Sequence, residues 1–259
     1  MTSLLRDPAA RLVIGHRGAA AQAPENTLRS FELAVGAGVD ALELDVHLSA
    51  DGRVVVIHDD TLDRTTDLSG LVADLPFARI QTADAGARFT RDGFTYPYRS
   101  RAVRVPAIEE VLERFPETPL LIEVKAAAAG EPLRRILEQH GAAARCMLGA
   151  FDRAALDPFR APPWSICASQ PEVLRFLASA IFPLPLGAPS YAALSIPPSW
   201  HGVPFPMRAI TTTAHEHGMS VHIWTVDDPQ QARALWRRGV NGMITNDPEP
   251  ILAARTMPR

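Results

Sequence analysis

A chain of 259 residues is long enough for one large α/β barrel or two smaller domains, and 47% hydrophobic against 21% charged residues supplies a sizeable core and excludes wholesale disorder. Twenty-six Lys and Arg stand against 29 Asp and Glu, a net charge of −3, which leaves no electrostatic footprint for nucleic acid or for an anionic membrane. Cys146 and Cys167, both in apolar runs, are too few for a disulfide scaffold and are expected to be inert core thiols. The opening MTSLLRDPAARLVIGHRG has no long apolar stretch and no small-residue cleavage site, so no signal peptide is expected and a cytoplasmic protein is the reading.

Along the chain, short β-like runs alternate with helical patterns. Arg11–Gly15 is a continuous apolar run ending at His16, and Glu25–Val35 carries one apolar helical face closed by Gly36 and Gly38. Ala41–Leu48 alternates with period two, and Val54–Ile57 follows after the turn Ala50–Gly52. Further strands are expected at Leu120–Val124, Arg145–Ala150, Trp164–Ala168, Ala192–Ile196, Val221–Val226 and Met243–Thr245. Helices are expected at Ala107–Phe115, Leu133–His140, Pro171–Ile181, Met207–His217 and Pro229–Arg238. Short apolar strands alternating with helices over this length predict α/β architecture, a TIM (β/α)8 barrel, ahead of a doubly wound sheet that lacks its glycine-rich fingerprint. The whole chain, 1–259, is read as one barrel domain. Thr61–Val105, polar and without clear periodicity, is read as a small insertion (61–105) after the third strand, packed over one end.

Phe176–Met207 contains no Asp, Glu, Lys or Arg. Its prolines at 183, 185, 189, 197, 198, 204 and 206 rule out a spanning helix, so no stable membrane anchor is expected. An apolar lip holding an acyl chain is the alternative to an ordinary loop here.

Barrel active sites form at the C-terminal ends of the strands. The polar residues at those ends are His16 and Arg17, Glu43 and Asp45, His58 and Asp59, Glu123 and Lys125, Trp224, and Asn246. Glu43 and Asp45 are two apart on a strand and share a face, as do Glu123 and Lys125. Three converging carboxylates raise one another's pKa unless a cation neutralises them, and an all-oxygen set suits one divalent cation, Mg2+ or Ca2+. Pairing with Arg17 and Lys125 is the plainer explanation. His16 and His58 beside such a cluster suit an acid/base pair for displacement at phosphorus. His47 is expected to pack outside the barrel.

HRG at His16–Gly18, PENT at Pro24–Thr27, ELDV at Glu43–Val46, HDDTLDRTT at His58–Thr66, IEVK at Ile122–Lys125 and WTV at Trp224–Val226 together resemble the glycerophosphodiester phosphodiesterase family, in order over nearly the whole chain. The resemblance implies hydrolysis of a small-molecule glycerophosphodiester to glycerol 3-phosphate and an alcohol, with a divalent cation. It implies Glu43, Asp45 and Glu123 as metal ligands and His16 and His58 as the catalytic pair. Arg17 and Lys125 would contact phosphate, Trp224 would flank the glycerol, and Glu25 and Asn26 would support the site. The last strand reads ITND, placing Asn246 where relatives often have aspartate, and neither Asn246 nor Asp247 is counted in the catalytic set. The rival readings are a lysophospholipase D and a catalytically silent glycerophosphate-binding relative.

Overall fold

The computed structural model describes residues 4–182 and 184–256. Pro183 and the ends of the chain lie outside the described residues. Its strands are β1 (Leu12–His16), β2 (Ala41–Leu48), β3 (Val54–Val56), β4 (Leu120–Val124), β5 (Cys146–Gly149), β6 (Ser165–Ile166), β7 (Ala193–Ile196), β8 (Ser199–Trp200), β9 (Val203–Pro204), β10 (Ser220–Ile223) and β11 (Gly242–Thr245). The helices are α1 (Leu28–Ala37), α2 (Phe77–Ile80), α3 (Ile108–Arg114), α4 (Ala127–Gln139), α5 (Gln170–Ile181), α6 (Met207–Glu216), α7 (Pro229–Trp236) and α8 (Pro248–Thr256).

Strands β6, β5, β4, β2, β1, β11, β10 and β7 pair in that order, every pair parallel. The ring is completed by a parallel bridge from Cys167, just past β6, to Ala193, where the Ala168 N–H donates to the Ala193 carbonyl at 2.8 Å. The fold is the expected TIM (β/α)8 barrel. One expected strand has a different place. Val54–Val56 pairs antiparallel to β2 outside the parallel ring, because the Ala50–Gly52 turn is too short for the crossover that a parallel neighbour needs.

Local signals explain most element boundaries. Thr27 caps α1 by accepting from the Ser30 N–H, and Gly38 closes it with φ 93°. Ser169 and Glu172 form a capping box on α5, and Asp228 caps α7 ahead of Pro229. Helix α4 begins at Ala127, not at the expected Leu133, since the alanine-rich Ala126–Ala129 run carries the helix past Pro132. Helix α8 is additional to the expected set.

Alternation on the strands divides the core. Leu42, Leu44, Val46, Leu120, Ile122 and Leu148 face outward against the helices, in one buried cluster with Phe31 and Val111. Leu12, Ile14, Ala41, Leu121, Met147 and Ile244 fill the barrel interior, with Leu5 packed among them. Leu5 belongs to a short turn, Leu4–Arg6, whose carbonyl at Leu5 accepts from Ser220 Oγ at 2.7 Å and His222 Nε2 at 2.9 Å. This plugs the end of the barrel opposite the site. On β1, β2 and β4 the interior turns polar toward the C-terminal ends: His16, Glu43 and Glu123 stand two residues after Ile14, Ala41 and Leu121.

Between β3 and α3, Ile57, Leu62, Val72, Ile80, Ala85 and Val105 form a small buried cluster of their own with Val55 of β3. Both cysteines are free and buried, and burial pushes each thiol up to about 12. No helix among the described residues is long and apolar enough to cross a membrane.

Candidate active site

Parallel register assembles the site. His16 is paired with Glu43 across β1 and β2, and Asp45 with Glu123 across β2 and β4. Registered residues on neighbouring strands point to the same side, so the four side chains meet at the barrel mouth. Glu43, Asp45 and Glu123 each offer an oxygen within 4.8 Å of the others, a set that fits a hard cation.

The three carboxylates are not equivalent. Asp45, 1% exposed, faces Lys125 Nζ at 3.0 Å and Arg17 Nε at 3.2 Å, and Asn26 Nδ2 donates to it at 2.9 Å. Burial opposes its ionisation, but Lys125 and then Arg17 outweigh that and hold its carboxyl below the usual range. Glu123 pairs with Lys125 at 2.7 Å. Glu43 accepts the backbone N–H of Arg17 at 2.9 Å, and no Lys or Arg side chain pairs with it among the described residues. Burial, then the charges of Asp45 and Glu123, push its carboxyl well above the usual range. Pairing with Arg17 and Lys125 thus accounts for Asp45 and Glu123, while Glu43 is left needing positive charge.

The HRG and PENT segments bend tightly to serve this cluster. Arg17 (φ 51°) and Asn26 (φ 56°) both adopt left-handed backbone, uncommon outside glycine and best tolerated by residues such as Asn. That conformation aims the Arg17 N–H at Glu43 while its guanidinium reaches Glu25 at 2.8 Å. Glu25, held below its usual range by Arg64 and Arg17 against the effect of burial, joins this network to His58. Arg64 bridges Glu25 (2.7 Å) and Asp59 (2.6 Å), and Asp59 Oδ1 lies 2.6 Å from His58 Nδ1. The Arg64 fork, ahead of His58, holds the Asp59 carboxyl down to about 2.

His16 lies 4.0 Å from Glu43 through Nε2, and its Nδ1 meets Asn246 Oδ1 at 2.7 Å. Burial, then the charge of Arg17, lowers its pKa below the usual value, which favours the neutral ring. Asp59, Arg64, Asn246 and Asp227 are the site residues that sequence reading left without a role. Asp59 and Arg64 lay inside the quoted HDDTLDRTT motif, and Asn246 was marked by its departure from ITD. Asp227 carried no signal.

His47 corrects an expectation. It sits two residues beyond Asp45, on the same parity of β2, where the strand pairs with β3, and its Nε2 meets the His58 carbonyl at 3.0 Å. The arginines at 88, 91, 99, 101 and 104 do not line the site cavity; Arg88 and Arg99 instead donate to the carbonyls of Thr66 and Ala87.

The site opens into a cavity of about 430 Å³ whose polar end holds His16, Arg17, Glu43, His58, Glu123 and Lys125. Its opposite wall is apolar: Val173, Leu174 and Leu177 of α5 face Ile196, Pro197, Trp200 and Phe205. Trp224 stands between the halves with Phe151 edge-on at 6.2 Å. The uncharged Phe176–Met207 segment supplies five of these wall residues, Leu177, Ile196, Pro197, Trp200 and Phe205.

Barrel and mouth together define a TIM-barrel hydrolase with an acidic, histidine-flanked site. A profile of the glycerophosphoryl diester phosphodiesterase family matches residues 16–250, and the chain belongs to that family. It is an enzyme, a phosphoric diester hydrolase. A glycerophosphodiester phosphodiesterase from Caldanaerobacter subterraneus subsp. tengcongensis is 30% identical over 250 residues, covering 93% of this chain and 96% of that protein. A phosphodiesterase from Oleispira antarctica, solved with its product sn-glycerol-3-phosphate, superposes with a TM-score of 0.79 at 27% identity, covering 96% of this chain and 98% of that one. A lysophospholipase D from Mus musculus is 39% identical over 114 residues, 43% of this chain and 35% of that protein.

Proposed function

We propose that this enzyme hydrolyses glycerophosphodiesters such as glycerophosphocholine or glycerophosphoethanolamine to sn-glycerol 3-phosphate and the free alcohol. The reaction depends on a divalent cation and on His16 and His58. The observation that carries the reading is the buried Glu43 carboxylate, grouped with Asp45 and Glu123 and lacking a cationic side chain of its own. Those three residues would hold Mg2+ or Ca2+, which when bound supplies positive charge to the phosphoryl oxygens. Arg17 and Lys125 add fixed charge at the same point, and Trp224 offers a face to the glycerol carbons. One imidazole takes a proton from the attacking water and the other returns one to the leaving oxygen, each transfer contributing about 10²–10⁴-fold. With both histidines and all three carboxylates present, a silent binder lacks support.

The test is release of glycerol 3-phosphate from glycerophosphocholine, with EDTA and then with Mg2+ or Ca2+ restored. Turnover lost to EDTA and regained with metal is expected. Turnover indifferent to EDTA would remove the metal from the reading.

The apolar wall favours a second substrate class, since a choline or ethanolamine alcohol leaves Leu174, Leu177 and Ile196 without apolar partners. Lysophospholipids, which carry an acyl chain on the glycerol, would bury it there, as a lysophospholipase D requires. Lysophosphatidylcholine turned over with a lower KM than glycerophosphocholine supports this. No choline release from lysophosphatidylcholine rejects it.

A further inference from the structure

The two site histidines are held at Nδ1 by chemically different partners: His58 by the Asp59 carboxylate, His16 by the neutral Asn246 amide. A carboxamide can present either its oxygen or its NH2 group, and its neighbours decide which. Asn246 Nδ2 donates to Asp227 Oδ2 at 2.8 Å. The other Asp227 oxygen accepts the Asn246 backbone N–H at 2.7 Å and the Thr245 hydroxyl at 2.8 Å. A carboxylate only accepts, so the NH2 group must face Asp227 and the amide oxygen must face His16. An oxygen at that distance requires a proton on His16 Nδ1. In the neutral ring this leaves the Nε2 lone pair on the cavity side, where His16 lines the polar end.

We infer that Asn246, oriented by Asp227, is a positioning residue that fixes His16 as the Nδ1–H tautomer and so makes Nε2 the proton acceptor of the reaction. The inference rests on the phosphodiesterase reading above and divides the two roles it leaves open. His16 Nε2 takes a proton from the attacking water as the water oxygen forms the bond to phosphorus. The bond from phosphorus to the leaving oxygen breaks, its electron pair stays on that oxygen, and the oxygen takes a proton from His58 Nε2. Exchange with water then returns both rings to their starting states. The partners at Nδ1 divide the roles: His58 faces the Asp59 carboxylate at 2.6 Å, and His16 faces the neutral Asn246 amide at 2.7 Å. An aspartate at position 246 also accepts from Nδ1–H, but it cannot donate to Asp227 and places two carboxylates side by side.

The experiment is long-range 1H–15N correlation on the full chain labelled at histidine, without added metal, with His16 assigned by the signals lost in His16→Gln. Wild type is expected to show the Nδ1–H tautomer at His16. Asn246→Leu is expected to shift it toward Nε2–H and to lower kcat by about 10–100-fold. KM is expected to stay within about twofold, since substrate binding is untouched. Asn246→Asp alone loses activity, and Asn246→Asp combined with Asp227→Asn rebuilds the donor–acceptor chain and recovers most of it. An Nε2–H tautomer in wild type overturns the inference. So does an Asn246→Leu enzyme that keeps both tautomer and kcat, or a double variant no better than Asn246→Asp. If Asn246→Leu does not fold, the wild-type tautomer and the paired exchange decide. A correct tautomer in a wild type that releases no glycerol 3-phosphate overturns the catalytic role together with the phosphodiesterase reading, while the orientation of His16 stands.

Discussion

Arg17 serves Glu43 with its backbone rather than its guanidinium: the N–H lies 2.9 Å from Glu43 Oε2, while the side chain turns to Glu25 and Asp45. One residue in left-handed conformation thereby feeds two layers of the acidic cluster and leaves Glu43 without a full countercharge. Four predictions follow from this arrangement and from the barrel beneath it.

Glu43→Gln separates the cost of the cluster from its use. The folded-state pKa of Glu43 is raised, so its ionised form destabilises the metal-free protein increasingly as pH rises above the usual carboxylate range. Metal-free Glu43→Gln should therefore melt above metal-free wild type at pH 7–8, with the gap closing toward pH 4. A change of 1 kcal/mol corresponds to about 2–4 °C in a chain of this size. Calorimetric titration with Mg2+ or Ca2+ should show affinity lowered at least about 10-fold. Equal ion binding by both proteins would take Glu43 out of the ligand set.

Arg64→Ala should reduce kcat by about 10-fold with KM little changed, because it frees Asp59 and Glu25 together and lets His58 drift from its productive orientation. Arg64 is half exposed, so the loss of global stability should stay within about 1 kcal/mol. Steady-state kinetics and thermal melts on Arg64→Ala and Arg64→Lys check this, with partial recovery expected in the lysine variant. A large stability loss at unchanged kcat would reassign Arg64 to holding the fold.

His222 makes the barrel floor acid-sensitive. Complete burial lowers its pKa to about 4 while its Nε2 donates to the Leu5 carbonyl. The folded state thus prefers the neutral ring: the stabilisation is fully present above the unfolded value near 6.5 and is lost as pH falls from there to about 4. At 1.36 kcal/mol per unit the contribution is on the order of 3 kcal/mol. Urea unfolding of wild type and His222→Gln at pH 7 and pH 4 should show a stability difference that shrinks on acidification. A constant difference would remove His222 from the acid response.

Gly18 is held at φ 88°, and a Cβ there would stand 2.4 Å from Ser30 Oγ and 2.6 Å from the Ser30 carbonyl carbon. Gly18→Ala should cost about 2 kcal/mol or more and displace the neighbouring Arg17, so activity should fall even in the folded fraction. Thermal melts with kinetics per folded molecule test it. A variant as stable and active as wild type would show that the HRG turn can relax.

Much of this architecture was legible in the residues themselves. Period two in Ala41–Leu48 put Glu43 and Asp45 on one face, and the apolar runs at Arg11–Gly15, Leu120–Val124 and Met243–Thr245 marked buried parallel strands. The motifs around His16, His58 and Lys125 carried the family. The start of α4 and the pairing of Val54–Val56 depart from expectation for different reasons. Val54–Ile57 has strand composition whichever way it pairs, and Ala126–Pro132 balances alanine propensity against proline. His47 shares the parity of Glu43 and Asp45 on β2, so spacing alone sets it on their side of the strand.

Sequence by itself determined which residues are hydrophobic, charged or nucleophile-activating and how they are spaced along each strand. Side-chain direction on a single element follows from spacing alone. Only the tertiary structure decided that Lys125 and Arg17 neutralise Asp45 and leave Glu43 exposed to its neighbours' charge. It alone joined Arg64 to Glu25, 39 residues away, and Asn246 to His16, 230 residues away. Charges act through distance and local dielectric, and a hydrogen bond through the orientation of both partners; neither quantity exists until the strands have closed into a barrel.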